Sequence, residues 1–208
     1  MTHDDDIPGP DPQVVAAHAP LHTDALTVLR GWVPPDPAQA ALREAFLALL
    51  LARPDATARA CVPGHLTASA VVLSADHRGV LLTLHPRIGR WVQLGGHCEP
   101  TDATLLAAAT READEESGLT APGASGTRLR PLAGGHPVHL DVHPITCSLG
   151  RPTRHFDVRY AFVAPAGATP VISDESDDLR FWPVDALPED VDDGVRDTVA
   201  AARRSLRR

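Results

Sequence analysis

Glu112, Glu115 and Glu116 fall close together in the run Arg-Glu-Ala-Asp-Glu-Glu-Ser-Gly-Leu over residues 111–119. On a helix turning by about 100° per residue, Glu112 and Glu116 stand nearly in line, with Glu115 beside them. Like charges at that spacing oppose the helix by roughly 0.2–0.5 kcal/mol per pair. A divalent cation turns the repulsion into binding. Oxygen donors without His or Cys suit Mg²⁺ or Mn²⁺, which take one or two carboxylates and leave their other positions to water and phosphate oxygens. A metal so held neutralises phosphate charge and lowers the pKa of an attacking water. Arg111 can orient Glu115 at i+4 or hold a loop carboxylate. Taken alone, the triplet is equally the solvated acidic face of a helix.

The residues ahead of this helix narrow the choice. Gly95-Gly96 permits a tight turn and a close backbone approach, and its carbonyls can ligate metal. Leu94-Gly95-Gly96-His97-Cys98-Glu99-Pro100, followed by residues 111–119, resembles the Nudix box, G-x5-E-x7-R-E-U-x-E-E-x-G-U with U apolar. The resemblance is specific over residues 94–119 and looser over 67–190, and it does not cover 1–62. It implies a metal-dependent hydrolase that cleaves a phosphoanhydride bond in a nucleoside diphosphate linked to another moiety, with Mg²⁺ or Mn²⁺. Gly96 would open the box and join the metal site. Glu112, Glu115 and Glu116 would bind metal and activate water, and Arg111 would brace loop and helix. By the same resemblance Glu175, within Ser173-Asp174-Glu175-Ser176-Asp177-Asp178, is a further metal ligand or general base, with an acidic surface loop as the alternative.

Two departures stand out. Asp102 replaces the first Glu of the box, and eight residues separate it from Arg111 instead of seven. An extra residue inside the helix would rotate the glutamates by about 100°. The expectation is therefore a helix that begins after Asp102, with the loop absorbing the insertion. Two other activities fit a Nudix-like fold. A non-catalytic sensor or regulator would bind a nucleotide-sugar, and such a module tolerates loss of box glutamates that this chain keeps. An isoprenoid diphosphate isomerase would call for a catalytic Cys, and none is clearly placed.

Further polar residues alternate along two segments. His139, Asp141 and His143 share one face of the first, and His155, Asp157 and Arg159 share one face of the second. If the segments pair, this face lines a substrate cleft with Arg159 toward phosphate, or holds a second metal. The alternative is the wet face of an antiparallel sheet. His143, His155 and Arg159 are accordingly candidate substrate-binding residues. Arg87 and Arg90 join them, in a loop suited to meeting phosphates. Trp91 stacks on a base or packs in the core, and Cys98 is given no catalytic role.

The elements that position these groups are legible from periodicity. Apolar residues recur at helical spacing from about Pro12 to Leu51, broken at Val33-Pro34-Pro35-Asp36, where Asp36-Pro37 can cap and open a second helix. Residues 1–12 read as disordered and Asp55–Gly64 as a linker. Strands are expected at Thr67–Ser74, Val80–Leu84, His136–Thr146, His155–Val163 and Leu179–Trp182, and a short segment, Trp91-Val92-Gln93-Leu94, leads into Gly95-Gly96. Residues 103–117 form the box helix, capped by Asp102, and a last helix begins near Val191. The fold class is α/β: a Nudix-like mixed sheet between helices (residues 63–208), preceded by a helical extension (1–62).

Composition sets outer bounds. The chain has 208 residues, 43% of them hydrophobic, and a net charge of −8, with all 19 basic residues Arg. That balance argues against long nucleic acid as a partner, and no apolar run approaches a membrane span. A small-molecule diphosphate, nucleotide by resemblance, is the expected partner, and a homodimer is left open. Cys61, Cys98 and Cys147 show no CxxC spacing, so neither a disulfide framework nor a Cys zinc site is expected. The acidic, Pro-rich start lacks the basic and apolar parts of a secretory signal, which leads to the expectation of a cytoplasmic protein.

Overall fold

The computed structural model describes residues 7–119, 128–146, 150, 152–173 and 176–207. Asp11 and Asp36 start the first two helices for the same local reason. Their carboxylates accept the N–H groups of Gln13 at 2.8 Å and Gln39 at 2.9 Å. Each is followed by a proline, whose fixed φ and missing N–H suit the first helical position. They open α1 (Pro12–Gly31) and α2 (Pro37–Ala52), as the Asp36-Pro37 pair led one to expect. Of the stretch expected to be disordered, residues 1–6 lie outside the described residues.

The remaining elements are β1 (His65–Leu73), β2 (Gly79–His85), β3 (Arg90–Val92), β4 (Leu94–His97), α3 (Leu105–Ser117), β5 (Arg130–Pro131), β6 (His139–Thr146), β7 (Pro152–Val163), β8 (Asp178–Pro183) and α4 (Asp193–Ser205). Together they form the expected α/β arrangement, a mixed sheet with four helices. Along the sheet the order is β3-β2-β1-β7-β5, while β4 also pairs with β1, β6 with β7 and β8 with β2. β1 is buried at every position, which suits a run of small and β-branched residues flanked on both edges. Its pairing with β2 is antiparallel and falls at its C-terminal end, Val72 opposite Leu81 and Leu73 opposite Val80. The short strands β3, β4 and β5 are not among those expected from the sequence.

The chain divides into two compact units. The first comprises Met1–Thr67, His97–Leu105 and Leu140–Asp157. Its core holds Leu21, Ala25 and Leu29 of α1 with Phe46 and Leu50 of α2, and Phe46 meets Phe156 edge to face at 5.1 Å. The buried amide of Gln39 gives Leu140 both backbone bonds a neighbouring strand would supply, at 3.0 and 2.7 Å. The segment expected to be a linker is instead folded. Asp55 takes the Arg53 guanidinium through two bonds at 2.8 and 2.7 Å, while Ala56, Ala58 and Cys61 are buried. Small residues that looked like spacer are small enough to bury.

The second unit comprises Ala68–Gly96, Leu106–His139 and Val158–Arg208. Its core joins Val71, Val80 and Leu82 of the sheet to Val195, Val199 and Ala202 of α4. Asp192 starts that helix by accepting the Val195 N–H at 2.8 Å.

Candidate active site

The box helix α3 begins at Leu105, three residues after Asp102. The insertion is thus absorbed in the loop, as expected. Asp102, however, does not cap the helix, because it lies too far ahead of the first turn. Its carboxylate accepts the Glu99 N–H at 2.8 Å and closes the loop on itself. The Leu105 N–H is taken at 2.8 Å by Asp24 of α1, which lies 81 positions earlier. Burial pushes the Asp24 carboxyl above its usual range, and the bond from Leu105 opposes that shift.

Ala108, Ala109 and Ala113 of α3 are buried, and Glu112 and Glu116 project partly buried from beside them, with Glu115 more exposed. Arg111 Nη1 donates to Glu112 Oε1 and to Glu115 Oε2, both at 3.0 Å. Glu112 is only 12% exposed and Glu115 is 60% exposed, so the first bond is the better shielded from solvent. Glu116 accepts the Gly95 N–H at 3.1 Å.

The two glycines let the backbone pass against the carboxylates. A Cβ on Gly96 would lie 2.6 Å from Glu112 Oε2. At Gly95, φ is +148° and a Cβ would lie 2.6 Å from the Ser69 Cα. Only glycine fits at Gly95, where the neighbours are backbone, whereas a side chain at Gly96 would push the Glu112 carboxylate aside. The donor set suits a hard divalent cation: three carboxylates against one guanidinium leave excess negative charge on oxygen, and Arg111 already bridges two of them with positive charge.

The other sequence candidates divide. Arg87 and Arg90 are exposed in the hairpin between β2 and β3, and their side chains make no hydrogen bond or ion pair among the described residues. Trp91 is 7% exposed and packs edge-on against Trp182, which makes it a core residue and not a stacking platform. Glu175 and Cys147 lie outside the described residues. Arg159 must be corrected. It is 2% exposed and donates to Thr198 Oγ1 of α4 at 3.0 Å. A guanidinium so buried braces a helix and is not presented to a phosphate arriving from solvent. Asp157 is also buried and accepts from Thr67 Oγ1 at 3.0 Å.

His143 and His155 do come together, with ring centroids 5.3 Å apart, and His143 Nδ1 lies 3.1 Å from Asp141. Two rings that were not singled out in the sequence complete the group. His65 lies 4.9 Å and His97 5.1 Å from His155, and they are 5.2 Å from each other. Burial, reinforced by the neighbouring rings, pushes His97 down to about 4 and His155 down to about 3. Burial also lowers the pKa of His65. His97 stood in plain view beside Gly96, but its partners come from strands far away in sequence.

The NUDIX domain family model matches residues 63–204, and the chain belongs to the Nudix family. It is a hydrolase of the kind that acts on pyrophosphate bonds, and enzymes of the family generally need divalent metal ions. Among solved structures it is similar to the MutT protein from Methanosarcina mazei Go1, at 17% identity and a TM-score of 0.50, over 71% of this chain and 98% of that one. It is also similar to the dihydroneopterin triphosphate pyrophosphohydrolase of E. coli, at 18% identity and a TM-score of 0.50, over 69% of this chain and 96% of that one. Curated proteins yield no match. Among the described residues no helix is long and apolar enough to cross a membrane.

Proposed function

We propose that this protein is a Mg²⁺- or Mn²⁺-dependent pyrophosphohydrolase whose substrate is a nucleoside diphosphate linked to another moiety. The observation that carries this reading is the meeting of Gly95-Gly96 backbone with the Glu112 and Glu116 carboxylates on one face of α3. Glu112, Glu115 and Glu116, with the Gly96 carbonyl, would hold the metal. When bound, that ion supplies charge stabilisation at phosphate and a more acidic water.

The chain's own groups have separable tasks. A carboxylate of the triplet accepts the proton of the attacking water as the new oxygen–phosphorus bond forms and the bridging oxygen departs with its phosphate. Arg111 positions Glu112 and Glu115. Arg87 and Arg90, exposed on their hairpin, meet the substrate phosphates. Glu175 is retained as a further ligand or base. The pyrophosphohydrolase named among the similar structures supports a nucleotide-like triphosphate or diphosphate as the first compounds to try.

The test is a phosphate-release screen over nucleoside phosphates and diphosphate conjugates, with Mg²⁺ or Mn²⁺, on wild type and Glu116→Gln. Turnover by wild type and a loss of about 100-fold or more in the variant, equivalent to about 2.7 kcal/mol of barrier, is the expected result. Tight binding of one compound without turnover would replace this reading with the nucleotide-sugar sensor. Full activity in Glu116→Gln would remove that residue from the metal site.

A further inference from the structure

We propose that His65, His97 and His155 form a second metal centre, a three-imidazole site for a late first-row divalent ion, Zn²⁺ in the first place. Among the described residues, these three offer ligand atoms that all lie within 4.8 Å of one another. The box glutamates present hard oxygens suited to Mg²⁺ or Mn²⁺, whereas imidazole nitrogens favour zinc and its neighbours. Three histidines with a fourth position left to solvent are a recognised zinc geometry.

The hydrogen bonds orient the rings for this task. His65 Nδ1 lies 3.2 Å from the Cys61 carbonyl, which can only accept. The proton therefore sits on Nδ1, and Nε2 carries the lone pair. That is the backing that commonly fixes a metal-bound histidine. His65 Nε2 and His155 Nε2 are both buried without a hydrogen-bond partner. A buried ring nitrogen left so is costly, and a cation shared between the rings satisfies the lone pair on His65 Nε2 and can take one from His155. The positive charge of Arg59 opposes a cation at His65 and His97. Asp157 beside His155, and Asp141 on the adjoining His143, offset it.

Strand pairing explains how distant residues meet. His65 opens β1, His97 closes β4 and His155 lies in β7, and both β4 and β7 pair with β1. An ion held by all three would cross-link three separate stretches of the chain. Stabilisation by the metal alone is therefore expected.

The untagged full-length chain, stripped with a chelator, is titrated with Zn²⁺ alone and with Co²⁺ alone. Wild type should bind one equivalent tightly, show the visible absorption of four-coordinate cobalt and melt at a higher temperature with Zn²⁺. His97→Asn and His155→Asn, checked for folding by circular dichroism, should each weaken binding by more than the ~10–100-fold typical of a lost outer-shell partner. A Glu112→Gln/Glu116→Gln double variant should bind as wild type. No uptake by wild type would overturn the proposal, as would wild-type affinity in both histidine variants. Loss of the ion in the glutamate variant would assign it to the box and overturn the proposal equally.

Discussion

Arginines of one chemistry have three fates in this chain, and burial separates them. Arg111 shares its charge between Glu112 and Glu115, Arg159 is enclosed against Thr198, and Arg87 and Arg90 stay exposed. Arg159→Ala should lower stability by roughly 2–4 kcal/mol in chemical denaturation and leave KM unchanged in whatever folds, because it opens a buried polar site. Arg87→Ala and Arg90→Ala should do the reverse: KM rises several-fold while the denaturation midpoint stays put. Gly96→Ala tests the close approach to Glu112. A methyl 2.6 Å from its carboxylate oxygen must displace it, so a loss of about tenfold in kcat, near 1.4 kcal/mol of barrier, is expected with a higher metal requirement. The glutamates and glycines were legible in the sequence because spacing along a single helix and a single turn decides them. Arg159 was misjudged because strand alternation gives the side a residue occupies, not what covers that side. The cover is α4, with Gly194 leaving room for the guanidinium 3.0 Å from where a Cβ would stand.

Local punctuation made the helices readable. Asp11-Pro12 and Asp36-Pro37 carry their caps within three residues. The start of α3 is different in kind. Its first N–H is satisfied by Asp24 of α1, and no window of sequence around Asp102 contains that fact. Asp24→Ala should therefore cost about 0.5–2 kcal/mol, the usual effect of a lost cap, measured by urea denaturation. Asp24→Asn keeps an acceptor oxygen and should restore most of it. If the alanine variant is as stable as wild type, Asp24 is not the cap. The five longer strands were placed by alternation to within a few residues, and the two histidine-bearing segments do pair as β6 and β7, yet the strands that flank β1 were not foreseen. That gap hid the histidine group: β1 is flanked by β4 and β7 only once the sheet is assembled.

At the scale of the whole molecule, the histidines make stability depend on pH. Free imidazoles protonate near 6.5, whereas His97 does so at about 4 and His155 at about 3 in the folded chain. Between those values the unfolded chain binds more protons, so this contribution is fully present above pH 6.5 and falls as the pH falls toward 4. His65 shares the downward shift, and Arg59, His143 and the rings themselves all oppose protonation, with Asp157 pulling the other way. Denaturation midpoints measured at several pH values from 7.5 to about 4.5 should drop on the acid side, and His155→Asn should flatten the slope. The contact between Asp24 and Leu105 has a different consequence, one of order in time. The ribosome completes Asp24 well before Leu105 exists, so the box helix emerges to find its first hydrogen-bond acceptor already made. A gene trimmed to residues 63–208 would still encode every glutamate of the box. It would deliver them on a helix whose opening turn has lost its anchor, and such a fragment should be recovered in lower soluble yield than the full chain.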